Sequence, residues 1–305
     1  MDLLDKKILT ELTKNCRISY QELSTKIGFS ANAAKKRVEK LIENGTLYSF
    51  TIRPTLNSMG ANIAIALVET DGKESPTEFM ESFGENEMVG EINPIATKER
   101  GFYLVISDYI GAQGILDLGV FLRNLDHVTR VDMHPVITEP LYHGRSVEFR
   151  PLEYRVMKHL IKDARMAISE LSERTNLTSR RIRNVLKKLQ DDSGIIFSIR
   201  WNTAAAGAVR FFLLIKYNTK SLNYDAVVNW LYEAYPKEFW LYWISTNDPI
   251  IFASFTAESI EDARRISIEV KEDSNLEPVE TWICYPPRKF KTYPEKWLED
   301  VIREV

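Results

Sequence analysis

The sequence predicts an α+β protein in which two small helical domains alternate with two βαββαβ domains. Three observations predict this fold class. Residues 4–41 return at 152–189 with the same spacing of apolar and charged positions. Each copy combines helical periodicity with a strand that follows it. After each copy comes a second pattern of strand, helix, two strands, helix and strand. The repeat is considered first, because a repeated unit fixes the architecture of a chain.

The first copy has the pattern of a winged helix-turn-helix. Residues 3–14 form an amphipathic pattern, and Ser19 with Glu22 forms a capping box at the start of a second helix. Gly28 suits the left-handed end of that helix, and Ser30 caps a third one. A strand is expected over residues 47–52. Two helices around a tight turn, followed by a strand, make a helix-turn-helix with a wing.

The second copy keeps this pattern and departs from it at the caps. Asn176 replaces the glycine of the turn, and Asn tolerates the left-handed conformation. Thr178 takes the place of the capping Ser30. Ala167 stands where Ser19 stood, so the capping box is lost. The third helix of the second copy is also richer in arginine.

In a helix-turn-helix, the N-terminal part of the third helix meets base edges in the DNA major groove. Asn can bond adenine with both amide groups, whereas small alanines allow close approach. Lysines and arginines further along suit phosphates. Arginines in the second copy suit either guanine or a phosphate clamp with little sequence preference. The candidate DNA-binding residues are Ser30, Ala31, Asn32, Ala33, Lys35, Lys36, Arg37 and Lys40 in the first copy, and Ser179, Arg180, Arg181, Arg183 and Lys187 in the second.

The segments after the two copies predict ferredoxin-like sandwiches, with an antiparallel sheet and helices on one face. In the first half the predicted elements are 61–69, 76–84, 87–95, 102–107, 112–124 and 128–137. In the second half they are 208–217, 223–234, 239–245, 249–256, 258–271 and 278–285.

The distribution of charge supports nucleic-acid binding although the chain as a whole is acidic. The formal net charge is −3, yet residues 1–50 hold 9 Lys/Arg against 6 Asp/Glu, and residues 151–200 hold 11 against 6. Phosphate binding depends on where positive charge lies and not on the total. The alternative is that these residues only form solvated helix faces.

Several protein classes have no support in the sequence. No apolar run approaches the ~20 residues of a membrane helix. Cys16 and Cys284 are too few for a disulfide framework or a zinc site, and the four histidines lack metal spacing. No phosphate loop or nucleophile motif is present. We therefore expect no cofactor, no catalytic site and a cytoplasmic location.

These motifs together resemble the Lrp/AsnC (feast/famine) transcription regulators. The motifs that carry the resemblance are Leu-Asp-Lys-Lys-Ile-Leu, Arg-Ile-Ser-Tyr-Gln-Glu-Leu-Ser and Gly-Phe-Ser, followed by Arg37-Val38 and by a βαββαβ domain of the RAM type. The chain looks like two such proteins fused head to tail. Val185 departs from the family pattern, because it stands at the position of Arg37.

The resemblance implies dimerisation through the sheet domains and an amino-acid effector. The family's effector loop has a Gly, two residues and then an Asp. Asp248 fits the Asp, but Ser245 stands at the Gly, and Lys98–Gly101 in the first half keeps neither. A ring-rich segment in the second sheet domain suits either a ligand pocket or packing, and we favour packing. Its aromatic residues are Trp230, Tyr232, Tyr235, Phe239, Trp240, Tyr242, Trp243 and Phe252.

The predicted domains are a winged helix-turn-helix at 1–55, a sheet domain at 60–138, a second winged helix-turn-helix at 151–203, a second sheet domain at 207–286 and a tail at 287–305. We call residues 1–55 the first head and 151–203 the second head. The tail is expected to form a short helix from Pro294 that docks on its own domain or on a partner chain.

The sequence therefore predicts a sequence-specific regulator of transcription that binds double-stranded DNA with two unlike heads. Whether a small-molecule effector modulates this binding is left open by the sequence. The sheet domains pair within the chain as a pseudo-dimer or between chains as a homodimer. One alternative is a ligand-sensing or protein-interaction module that no longer binds DNA. The other is an enzyme like the siroheme decarboxylases, since a few relatives of this fold decarboxylate a haem precursor.

Overall fold

A computed structural model describes residues 1–96, 101–202, 208–220, 223–272, 276 and 279–303. The chain forms two compact units. The head unit consists of Met1–Met59, Pro140–Ala206 and Pro294–Val305, and the sheet unit of Gly60–Glu139 and Gly207–Tyr293. Both heads therefore lie in one unit and both βαββαβ domains in the other. No helix within the described ranges is long and apolar enough to cross a bilayer.

The predicted helices and strands are present, with bounds that shift by a few residues. The first half contains α1 (Leu3–Lys14), α2 (Tyr20–Ile27), α3 (Ala31–Glu43), β1 (Leu47–Pro54), α4 (Leu56–Met59), β2 (Ala61–Thr70), α5 (Pro76–Ser82), a 3-10 turn (Phe83–Glu85), β3 (Val89–Pro94), β4 (Phe102–Ile110), α6 (Gly111–Arg123), β5 (Val128–Ile137) and α7 (Pro140–His143). The second half contains α8 (Pro151–Leu160), α9 (Ile168–Thr175), α10 (Ser179–Asp191), β6 (Ile195–Trp201), β7 (Val209–Lys216), α11 (Tyr224–Ala234), β8 (Phe239–Ser245), β9 (Ile250–Ala257), α12 (Ile260–Lys271), β10 (Val279–Ile283), β11 (Arg288–Lys289) and α13 (Tyr293–Arg303).

The caps of the two heads follow the sequence pattern. Ser19 Oγ accepts from Glu22 N at 3.1 Å, and the Glu22 carboxylate accepts from Ser19 N at 3.0 Å. Gly28 ends α2 at a φ of 81°. Asn176 ends α9 at a φ of 51°, and Ala167 caps that helix with no side-chain hydrogen bond. The lost capping box and the left-handed Asn are both confirmed.

The wings of the two heads pair with each other. β1 and β6 form an antiparallel two-stranded sheet in which Thr51 lies opposite Ser198. Cys16 N donates to Phe197 O at 2.7 Å, and Ala164 N donates to Phe50 O at 3.1 Å. The two donors are equivalent in the repeat, and the two acceptors lie one residue pair to either side of Thr51–Ser198 in the wing sheet. The heads are thus joined about an approximate two-fold axis through the centre of the shared wing sheet.

Two arginines at equivalent positions connect the heads. The Arg17 guanidinium donates to the carbonyl oxygens of Ala164 at 2.6 Å and Met166 at 3.1 Å. Arg165, one repeat later, donates to Ile18 O at 3.2 Å. Each head therefore satisfies backbone carbonyls in the loop of the other.

Replacement of Arg17 by alanine should destabilise the paired heads by about 2 kcal/mol, because hydrogen bonds from a charged donor to buried carbonyls are lost. The measurement is a urea denaturation curve of the whole chain. Arg155→Ala, which removes an exposed arginine from α8, is the matched control. Equal effects of the two variants would contradict a specific connection between the heads.

Each half of the sheet unit has the strand order of a ferredoxin-like sandwich. The order is β5-β2-β4-β3 in the first half and β10-β7-β9-β8 in the second. In each half a buried cluster packs between the sheet and its helices. Phe83 and Leu122 belong to the cluster of the first half, and Phe239 and Phe255 to that of the second. Packing is therefore confirmed for Phe239 in the ring-rich segment, and Trp240 and Trp243 of the same segment are buried.

The two sheets join edge to edge within the chain. β5 pairs with β8 at Val136–Ser245, and an isolated bridge joins Ile95 to Cys284. The two junctions are equivalent under the repeat, since each connects the last strand of one half with the second strand of the other. Of the two arrangements that the sequence left open, pairing of the sheet domains inside one chain is therefore present.

The tail differs from the prediction. Arg288–Lys289 forms β11, which pairs with β3 of the first half and was not expected. The helix starts at Tyr293, and its residues from Pro294 onward belong to the head unit, where Glu295 forms an ion pair with Arg200. The tail helix from Pro294 onward is therefore part of the head unit.

Candidate nucleic-acid interface

The two candidate recognition helices, α3 and α10, occupy the third position in their heads. Each buries one apolar face: Ala34, Val38 and Leu41 in α3, and Ile182, Val185, Leu186 and Leu189 in α10. Because one face is fixed against the head core, the opposite face is left for solvent or a partner. Most of the charged candidate residues lie on that opposite face.

The start of α3 has an N-terminal cap and small side chains. Ser30 Oγ accepts from Ala33 N at 3.2 Å, so its hydroxyl already supports the helix. Asn32 is exposed, and Ala31 and Ala33 beside it are half-buried. Lys36 and Lys40 are exposed, and Lys35 pairs with Glu39 at 3.7 Å. The first head thus presents one amide and a modest positive charge.

The contacts of Arg37 differ from the expectation of a free phosphate ligand. Its guanidinium lies 2.8 Å from Asp2 Oδ2 and 2.7 Å from Asp5 Oδ1. These two carboxylates raise the pKa of Arg37, mainly through their hydrogen bonds. Burial tends to raise the pKa of Asp2, but hydrogen bonds from Asp5 N and Arg37 lower it overall. Arg37 therefore fastens α3 to α1, and its charge is balanced within the head.

The apolar residue at position 185 of the second head is explained by an ion pair that uses Lys188 of α10 instead. Glu153 is the repeat equivalent of Asp5, and its Oε1 lies 2.5 Å from Lys188 Nζ. Lys188 is one turn after Val185 on α10. The carboxylate of α8 thus keeps a cationic partner on the third helix, so position 185 is free to pack as an apolar residue.

The exposed face of α10 is more basic than that of α3. Arg180, Arg181, Arg183 and Lys187 are exposed, and no ion pair to them is found among the residues that the structure describes. Thr178 caps the helix by accepting from Arg181 N at 3.3 Å, and Ser179 follows half-buried. Four cations are therefore available to an anionic partner.

Arg37→Ala should lower the free energy of unfolding by about 1 kcal/mol, because a partly exposed ion pair contributes little more than that. DNA affinity should change less than in Lys36→Ala, whose lysine is exposed. Denaturation and DNA titration of both variants check this. A larger loss of affinity in Arg37→Ala than in Lys36→Ala would assign Arg37 to DNA contact instead.

The two expected effector residues, Ser245 and Asp248, differ in burial and in their hydrogen bonds. Ser245 is buried, and its Oγ accepts from Asn247 N at 3.2 Å and Asp248 N at 3.3 Å. It also lies 3.1 Å from Nδ1 of the buried His134. Asp248 is exposed. In the first half, residues 98–100 of the corresponding loop lie outside the described residues. Ser245 thus serves the turn and the junction between the sheets.

The inter-head contacts were not identified as functional candidates from sequence, although a signal existed. Arg17 and Arg165 occur at the same position of both copies. An arginine kept in both copies, outside the third helix, indicates a role shared by the two heads. A cleft with a volume of about 360 Å³ lies at one of these contacts.

Comparison with known proteins agrees with the repeat. The family profile for winged helix-turn-helix DNA-binding domains matches twice, at residues 1–47 and 149–195. An HTH-type transcriptional regulator of Pyrococcus horikoshii is 31% identical over 129 residues, which cover 41% of this chain and 79% of that protein. LrpA, an HTH-type transcriptional regulator of Bacillus subtilis, is 40% identical over 63 residues, which cover 21% of this chain and 46% of that protein.

A solved structure matches the whole length. The crystal structure of the siroheme decarboxylase NirDL has a TM-score of 0.62 and 12% identity, with 99% of both chains covered. A second structure of that enzyme, in complex with an iron-uroporphyrin III analogue, has a TM-score of 0.64 at the same identity. Identity this low shows a shared fold and leaves the activity to other evidence.

Proposed function

Because the chain belongs to the Lrp/AsnC family of HTH-type transcription regulators, we propose that it regulates transcription by binding an asymmetric DNA site with two unlike heads. The observation that carries the proposal is the pair of exposed third-helix faces. One presents Asn32 between small residues, and the other presents four cations that lack ion-pair partners within the described ranges. The first face suits direct contact with adenine, and the second suits guanine or phosphate.

The pairing of the heads supports a fixed spacing between half-sites. β1 and β6 share seven residue pairs, and Arg17 and Arg165 add contacts between the loops. A symmetric pair of heads fits a palindrome with half-sites about one helical turn or a multiple apart. Two unlike heads in one chain fit two unlike half-sites at one spacing.

The test is a fluorescence anisotropy titration of the full chain with fragments from upstream regions of its own genome and with shuffled DNA. We expect binding that weakens steeply with salt, and at least about a thousandfold preference for a selected fragment over shuffled DNA. Selection from a random duplex pool should return two different half-sites. A palindromic consensus, or equal affinity for all fragments at low salt, would contradict the proposal.

The module that no longer binds DNA predicts a different outcome. Alanine at Lys35, Lys36, Arg180 and Arg181 should then leave the function unchanged, whereas the proposal expects DNA binding to be lost. An amino-acid effector is supported only if a member of a panel of amino acids changes the affinity for DNA. Asp248→Ala should then remove that change in affinity.

The decarboxylase alternative has a spectroscopic test. The match over 99% of the chain to an enzyme solved with a porphyrin analogue is the observation behind it. We expect a flat absorbance titration with iron-uroporphyrin III, since the family relatives with higher identity are regulators. A saturable shift of the Soret band would favour the enzyme instead.

A further inference from the structure

The contact between the heads contains a cleft on one side of their approximate two-fold axis. The first head contributes Arg17 and Ile18 from the loop between α1 and α2, and Glu22 from α2. The second head contributes its third helix, with Arg183 and Lys187 among the lining residues. Apolar contacts come from both heads, since Ile18 of the first head and Ile168 and Leu186 of the second also line it. Its volume of about 360 Å³ suits a small ligand, since ligand pockets begin at about 300 Å³.

The repeat provides an internal comparison for this cleft. Tyr20 is the equivalent of Ile168, and the Arg165 guanidinium lies 4.7 Å from the Tyr20 ring centroid. The same guanidinium lies 5.2 Å from the ring of Phe50. Rings and guanidinium therefore stack at the position that corresponds to Ile168 in the repeat. On the open side an isoleucine replaces the tyrosine ring.

Charge differs between the two sides in the same way. On the stacked side, Lys35 is the equivalent of Arg183, and it pairs with Glu39 at 3.7 Å. Glu39 is the equivalent of Lys187, so the open side has a cation where the stacked side has a carboxylate. One side is thus neutralised within its own helix, whereas the other carries two adjacent cations.

The remaining charges of the open cleft are already engaged. The Arg17 guanidinium donates to two backbone carbonyls across the head contact. The Glu22 carboxylate accepts from Ser19 N at 3.0 Å and from Ser19 Oγ at 2.8 Å, and these hydrogen bonds lower its pKa. Arg183 and Lys187 are left to bind a ligand, and three cations face one carboxylate.

We propose that this cleft binds an organic phosphate monoester. The phosphate would be held by Arg183 and Lys187, because a guanidinium fork and an ammonium group are the side chains that suit a compact dianion. The organic part would lie against Ile18, Ile168 and Leu186. Asn15 and Gln190, which also line the cleft, can bond its polar groups.

The ligand would also oppose DNA binding. Arg183 and Lys187 are among the cations that the proposed function assigns to DNA, and a bound phosphate would neutralise them. This consequence rests on the proposed function, whereas ligand binding itself does not. The cleft would thus give the second head an input separate from the sheet unit.

The test is an NMR titration of the full chain with phenyl phosphate in the absence of DNA. Phenyl phosphate should bind at least tenfold more tightly than inorganic phosphate or benzyl alcohol, because each of these lacks half of the ligand's chemistry. Ile168→Tyr and Lys187→Glu install the residues of the stacked side. Each should weaken phenyl phosphate binding at least tenfold while the rest of the spectrum is preserved.

Arg181→Ala is the matched control, because it removes an exposed cation from the same helix outside the cleft. Its affinity for phenyl phosphate should stay within about twofold of the parent. Equal weakening by Arg181→Ala and Lys187→Glu would show general charge attraction and overturn the site. Unchanged binding in both cleft variants would overturn it as well.

The effect on DNA is measured separately. Phenyl phosphate at saturation should weaken DNA binding of the parent chain and leave that of Ile168→Tyr unaffected. A chain that binds phenyl phosphate and does not bind DNA would retain the site and contradict the proposed function. A chain that binds both without competition would overturn the opposition between them.

Discussion

Replacement of Arg180 and Arg181 by alanine should weaken binding to the selected DNA about 100-fold, the largest change that we expect from the heads. Both side chains lie in the first turn of α10, are exposed, and lack ion pairs among the described residues. An arginine on a base edge contributes about 1–3 kcal/mol, and each lost phosphate contact lowers the salt slope by about one. Anisotropy titrations over a range of salt concentrations measure both quantities.

The salt slope separates the two roles of these arginines. If they contact bases, affinity falls for the selected site and discrimination relaxes there, with little change in the slope. If they clamp phosphates, affinity falls by the same factor for all sequences, and the slope decreases by about two. Either result supports the second head as the stronger DNA contact.

Arg264→Ala with Arg265→Ala is the matched control, because it removes two arginines from α12 in the sheet unit. It changes the net charge equally and should leave DNA affinity within about threefold of the parent. A comparable loss in both double variants would indicate that only total charge matters. In the first head, Lys35→Ala with Lys36→Ala should cause a smaller loss, since Lys35 already pairs with Glu39.

The architecture of the heads could be predicted from sequence because its causes are local. A capping box spans four residues, and a left-handed cap needs one residue such as Gly28 or Asn176. Helical periodicity reports the buried face directly. These features repeat in both copies, so each copy supports the interpretation of the other.

The role of Arg37 could not be predicted, because its partners lie far along the chain. Asp2 and Asp5 are 35 and 32 residues away, and only the packing of α1 on α3 brings them within 3 Å. The ion pair of Glu153 with Lys188 could not be predicted for the same reason. Residue type at a helical position shows that a charge exists, whereas the tertiary fold decides whether it is neutralised.

The junctions between the two halves of the sheet unit could not be predicted from the sequence either. Pairing at Val136–Ser245 and at Ile95–Cys284 uses backbone groups of edge strands, which almost any residue can supply. β11 has two residues, too few for any periodicity. The sequence left pairing within or between chains open, because both use the same edges.

A charge cluster connects the two halves of the sheet unit. Glu91 on β3 lies 2.5 Å from the Arg210 guanidinium on β7 of the second half, and 3.5 Å from Lys289 Nζ. The side chains of Glu91 and Arg210 are only 17% and 19% exposed. Burial alone would raise the pKa of Glu91, but Arg210 and Lys289 lower it overall. The carboxylate is therefore ionised in the folded chain.

Glu91→Gln should destabilise the sheet unit by about 3 kcal/mol, because loss of one partner leaves the other charge buried without compensation. The measurement is urea denaturation followed by tryptophan fluorescence. Glu81→Gln is the matched control, since Glu81 pairs with Arg288 where both side chains are about half exposed, and a pair of that kind contributes less than about 1 kcal/mol. Arg210→Met added to Glu91→Gln should restore part of the loss, because the unpaired cation is then removed.

The dependence on pH gives the sharper result. A carboxylate whose pKa is lowered on folding adds stability above its unfolded pKa and loses it as pH falls through the folded value. The difference between the parent chain and Glu91→Gln should therefore be constant from about pH 8 to 5, begin to shrink near the usual glutamate value of 4.5 and be lost only below the lowered folded pKa. A difference in stability that persists unchanged at pH 3 would mean that the glutamine destabilises the fold through its packing and not through the lost charge. The two sheets would then be held by packing and backbone pairing, and the charge of Glu91 would add nothing to the junction.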